Sequence, residues 1–122
     1  MKRKRIALSI SIGLFAFLQT TAQRRVEKEP HHVIVLENQQ VRVIELKLSA
    51  SDTTLFHAHH AASVVVFLSA SSFAIQNLGE PPVITKVRNG DVVYRDYDVK
   101  PVSHIVWSAD QSIFRCLVIE LK

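Results

Sequence analysis

A single cysteine, Cys116, excludes an internal disulfide, so packing alone must hold the fold, even in an oxidising compartment. It lies in an apolar run, where a buried, inert thiol is expected rather than a nucleophile. A bilayer-spanning segment is also missing: Ile6 to Leu18 is a 13-residue apolar run, and a crossing helix takes about 20 residues. No cysteine follows that run, so lipid attachment at a processed N-terminus has no acceptor. Helical periodicity is absent from every stretch after residue 22, as are internal repeats and low-complexity segments.

An excess of one charge is lacking too, once the N-terminus is set aside. Lys2-Arg3-Lys4-Arg5, the apolar run and the small-residue end Thr20-Thr21-Ala22 compose a secretory signal peptide over residues 1–22, with cleavage expected after Ala22. This predicts export, to the periplasm or out of the cell, with membrane contact only through an uncleaved signal segment. Four of the 15 basic residues and none of the 11 acidic ones lie in that segment, leaving 11 against 11. The basic pI therefore belongs to the targeting signal, and a nucleic-acid partner is not expected. Residues 23–122 are 100 in number, enough for one small domain.

Strand follows strand in that domain. After an entry segment over residues 23–32, apolar alternation marks His32 to Leu36, Val41 to Leu48, Thr53 to His59, Ser63 to Leu68 and Phe73 to Leu78. Val83 to Val87, Asp91 to Tyr97, Ser103 to Trp107 and Ile113 to Leu121 complete the set, with turn residues between them, as in Arg88-Asn89-Gly90-Asp91. Eight or nine short strands at this spacing predict an all-β sandwich, barrel or jelly roll over residues 33–122.

Leu55-Phe56-His57-Ala58-His59-His60 holds three of the six histidines. On an extended strand the side chains of His57 and His59 leave the same face, while His60 points away. Neutral imidazole is the commonest metal ligand, so the pair is a candidate half-site. Polar loops carry the same pattern without a metal. Carried forward by twos, the parity sets Ser63, Val65 and Phe67 beside the two rings; on the later strand it groups His104 with Val106 and Ser108 and turns Trp107 outward. Three imidazoles on an apolar wall make a plausible small-ligand cavity. His31 and His32 are read as surface residues.

His57-x-His59, Gly90-Asp91-Val92-Val93 and His104 together resemble the two motifs of the cupins, small double-stranded β-helix barrels of the jelly-roll type. Several positions depart from those motifs. Ser51 stands for the first glycine, Ser63 (or Val64) for the glutamate, Ala70 for the closing glycine and Ser108 for the final asparagine. The resemblance implies a divalent metal (Fe, Zn, Ni, Mn or Cu) on His57, His59 and His104, and a homodimer paired through sheet edges. It is compatible with a metal-dependent oxygenase or isomerase acting on a small organic acid. A metal-free module binding a sugar or acid is the alternative, and a purely structural protein a third class; turnover stays open. Tyr94 and Asp96 are the candidate catalytic groups, and Arg42 and Arg115 candidate anion clamps.

Overall fold

The computed structural model describes residues 24–69 and 71–122, and nine strands carry almost all of its order. They are β1 (His32–Glu37), β2 (Val41–Leu48), β3 (His57–His59), β4 (Ser63–Phe67), β5 (Ser71–Asn77), β6 (Val83–Val87), β7 (Val92–Arg95), β8 (Val102–Ser108) and β9 (Phe114–Leu121). A short 3-10 turn, Val26–Lys28, precedes them. The expected signal peptide and its cleavage site, and Ala70, lie outside the described residues.

Two antiparallel sheets result, one ordered β1-β2-β9-β4-β7 and the other β3-β8-β5-β6. Alternation decides which faces meet. On β2 the even positions Ile44, Leu46 and Leu48 are buried; on β9 Phe114, Cys116 and Val118 are buried while Arg115 is exposed. Because strands pair residue by residue, Leu46 opposite Cys116 and Leu48 opposite Phe114 share one inward face. Val65 and Phe67 of β4 extend that face, and Phe73, Val87 and Val106 join the same core from the other sheet. Burying a large apolar side chain stabilises by about 1.5–3 kcal/mol. Phe67, Phe73 and Phe114 fill one end of the interior, with ring centroids 4.5–6.1 Å apart.

The other end is polar, and register puts it there. Along β5 and β8, Phe73 pairs with Ser108, Ile75 with Val106 and Asn77 with His104, so His104 lies two inward positions from the aromatic end. The entry segment is part of this architecture rather than a lead-in. Val26 and Glu29 are fully buried, and the Ala58 N–H donates to the Arg24 carbonyl at 2.8 Å, covering the free edge of β3. At one edge of the larger sheet, β1 leaves Val33, Ile34, Val35 and Leu36 exposed.

Candidate metal centre

The centre forms where β3 and β8 pair. His57 lies directly opposite His104, and His59 opposite Val102. Ring centroids are 4.8 Å apart for His57 and His104, 4.9 Å for His59 and His104, and 5.0 Å for His57 and His59. All three rings are buried. The structure thus brings together the three histidines that strand parity groups.

A fourth histidine joins them. His32 is buried, not on the surface as expected, with its ring centroid 4.6 Å from that of His57. One ring nitrogen from each of His32, His57 and His59 lies within 4.8 Å of the others, a grouping compatible with metal binding. The reason the surface expectation failed is a slip in register. Near the hairpin turn, Leu36 pairs with Val43 and Glu37 with Arg42; continued unbroken, that count would set His32 against Lys47, facing solvent. An irregularity between Ile34 and Leu36 shifts the pairing by one, so His32 faces Leu46 and turns inward. A bulge reverses the side on which every following residue projects.

Glu29 holds this histidine in place. Its carboxylate, wholly buried, accepts from His32 Nδ1 at 2.6 Å, from His31 Nδ1 at 2.8 Å and from the backbone N–H groups of His31 and Leu55 at 2.9 and 3.2 Å. Burial by itself raises the Glu29 carboxyl, but these hydrogen bonds prevail and hold it at about 2, so it is ionised at neutral pH. Since a carboxylate only accepts, His32 Nδ1 carries a proton, and in the neutral ring the lone pair lies on Nε2. Leu55 extends the link, because its carbonyl accepts from His57 Nδ1 at 2.9 Å, leaving the His57 lone pair on Nε2 as well.

His57 Nε2 and His59 Nδ1 are buried with no hydrogen-bond partner. An unsatisfied buried polar atom costs about 1–3 kcal/mol and needs an explanation. A cation shared by the rings supplies one. Metal–nitrogen bonds of about 2.0–2.1 Å require donor atoms roughly 3–4 Å apart, a small contraction of the cluster. Protonation states agree: burial, then the neighbouring His32, takes His57 down to about 4, and burial, then His57, takes His104 to about 3. Burial followed by repulsion from His104 puts His59 well below its ordinary value. Neutral imidazoles are what a divalent metal requires. The nitrogens of His32, His57 and His59 form the compact donor group, the His104 ring packs beside it with its centroid 4.8 Å from that of His57, and an all-imidazole set suits zinc, copper, iron or nickel.

The rest of the cavity departs from expectation at several positions. Tyr94 is 60% exposed, because it pairs with outward-facing Val64, and it does not line the cavity. Arg95 and Tyr97, which alternate to the other face of the strand, do; Tyr97 stacks on His59 with centroids 4.9 Å apart. Asp96 is exposed, at the rim of an outer cleft. Arg42 is held by Glu37 at 3.0 Å and Glu120 at 3.3 Å, and Arg115 by Glu45 at 3.1 Å, so neither cation is free to clamp a ligand. Ser63, where the cupin glutamate is expected, is buried and donates to the Ala61 carbonyl at 2.8 Å. Burial pushes the Cys116 thiol up to about 12, as an inert core group.

No protein family model matches the chain, and no curated protein matches it in sequence. Solved structures do match its fold. A cupin domain from Bordetella pertussis Tohama I is 21% identical, with a TM-score of 0.67 over 83% of this chain and 98% of that one. An RmlC-like cupin family protein with a double-stranded β-helix fold, from Methanocaldococcus jannaschii, is 13% identical, with a TM-score of 0.59 over 84% of each. The DMSP lyase DddQ from Ruegeria pomeroyi DSS-3 is 21% identical, with a TM-score of 0.51 over 70% of this chain and 40% of that one. The chain has the cupin double-stranded β-helix fold.

Proposed function

We propose that this is a small metalloprotein in which His57, His59 and His104, joined by His32, hold one divalent transition-metal ion, and that it acts as an oxygenase or isomerase on a small organic acid. The observation that carries the reading is the pair of partnerless buried nitrogens, His57 Nε2 and His59 Nδ1, inside a cluster of neutral imidazoles. When bound, such a metal supplies Lewis-acid polarisation of a ligand oxygen. The chain supplies the rest. Glu29 and the Leu55 carbonyl fix ring tautomers, Tyr97 covers His59, and the apolar wall of Val65, Phe67 and Val106 keeps water few in an inner cavity of about 50 Å³. That volume suits roughly three waters or the reacting end of a small molecule. A structural neighbour that is a lyase supports catalytic use of this fold.

Elemental analysis of untagged protein tests the assignment. One equivalent of metal is expected in the wild type and a small fraction of that in His57→Ala and His104→Ala, with β-sheet circular dichroism retained. Wild-type protein that takes up no zinc, copper, iron or nickel would sink the metal reading and leave a metal-free binding module.

A homodimer is proposed through β1, whose free edge adjoins four exposed apolar side chains. Unprotected apolar edge strands invite pairing with another chain. Sedimentation of the wild type should give a dimer and Val35→Lys a monomer; a monomeric wild type rejects the pairing.

A further inference from the structure

Arg95 has no ion-pair partner among the described residues, in contrast to Arg25, Arg42 and Arg115. Its place makes that notable. It projects inward from β7, opposite buried Ser63, and is half-buried. Removing a guanidinium from water without a counter-charge is unfavourable, and its planar fork of donors matches a carboxylate in two-point contact. Arg95 therefore offers a prepared anion site with no anion from the chain to fill it.

Two cavities meet at this residue. Arg95, Tyr97, His104 and Ile75 line both the inner cavity and an outer cleft of about 710 Å³. A cleft of that size falls in the ordinary range for small-molecule sites. One flank is apolar, with Leu78, Val83 and Val102; of the acids at its rim, Glu80 accepts from Asn77 and Asp96 is exposed, while Lys100 and His60 are the other basic groups. The inner cavity is too small for more than a few atoms, so a larger ligand must leave its body outside.

We infer that Arg95 anchors the carboxylate of a monocarboxylic acid whose aliphatic or aromatic body lies in the outer cleft, presenting the acid end to His104. The inference takes from the proposed function only that the cavity receives a small acid, and it does not require a bound metal. Benzoate and hexanoate are the probes, with benzamide and hexanamide as neutral counterparts, titrated into the full chain with and without metal and followed by amide NMR shifts. A charge-assisted contact contributes about 1.5–3 kcal/mol, so the acids should bind roughly 10- to 100-fold more tightly than the amides.

Arg95→Gln should lose that margin while keeping amide binding, thermal stability and metal content; Arg95→Lys should recover part of it. Equal binding of acids and amides, undiminished acid binding by Arg95→Gln, or no acid binding at millimolar concentration would each overturn the inference. Metal content of the same samples separates the two ideas. Acid binding by protein that takes up no added metal refutes only the metal centre, and metal uptake without acid binding refutes only the anchor.

Discussion

Acidification from pH 6.5 to pH 4 takes roughly 5 kcal/mol from the stability of the metal-free protein. The physical cause is the group of buried neutral histidines. His57 has its folded value lowered to about 4 and His104 to about 3, against 6.5 for an exposed ring. Below 6.5 the unfolded chain takes up protons that the folded chain refuses, so stability falls as pH falls. Each such histidine contributes about 1.4 kcal/mol per pH unit over that window. Two of them over two units amount to roughly 5 kcal/mol, against a whole-domain stability of about 5–15 kcal/mol. The carboxyl of Glu29, lowered to about 2, acts in the same direction: its contribution is present above 4.5 and is lost as pH falls toward 2. Burial outweighs the one negative group among the described residues that acts on the cluster, the Glu29 carboxylate, which raises His57 only in part.

The measurement is an acid titration followed by circular dichroism and by fluorescence of the single tryptophan, Trp107. Replacing one buried ring by a neutral isostere, His104→Gln, should move the midpoint to lower pH. Saturating zinc should also shift it downward, because a ligand that binds only the folded state stabilises it by mass action. Stability that stays flat from pH 7 to 5 would show that the rings are hydrated or already charged, and the site geometry would then be wrong.

Much of this was legible in the residues, for reasons that also explain what was not. The nine strands followed from alternation, which is strong where one face meets a core; Ile44, Leu46 and Leu48 on β2 show it. Parity on β3 and β8 brought His57, His59 and His104 to one face, since those strands are regular between the histidines and their core neighbours. His32 escaped because the β1 irregularity reverses parity, and nothing in Val33-Ile34-Val35-Leu36 marks where an extra residue enters. Tyr97 was obscured by an early strand end: β7 stops at Arg95, and the Asp96–Lys100 turn carries the tyrosine over His59. Glu29 lies in a segment whose composition reads as a solvated lead-in. Its burial arises only because the 3-10 turn and the Arg24–Ala58 contact fold that segment across the end of the barrel. Long-range placements of this kind have no local signature.

Glu29 itself supports the last expectation. Glu29→Ala removes an acceptor shared by four donors and leaves the buried His32 ring without its partner, along with the partly buried His31 and Leu55 donors. Breaking a buried charged network from one side costs about 3–5 kcal/mol, which for a domain of this size lowers Tm by more than ~10 °C. Glu29→Gln is the sharper variant because its shape is retained. Its one oxygen cannot accept on both sides of the network, and whichever way the amide turns, the negative charge that supports the His32 ring is gone. Loss of such a supporting contact typically weakens metal affinity by about 10- to 100-fold, and competition with a chromophoric chelator reads that change directly. Glu45→Gln, which breaks only the surface pair with Arg115, should leave both affinity and Tm almost unchanged, as expected of an exposed ion pair worth about 0–1 kcal/mol. If Glu29→Gln bound zinc as tightly as the wild type, the cluster would hold its metal without His32, on the three rings of β3 and β8 alone.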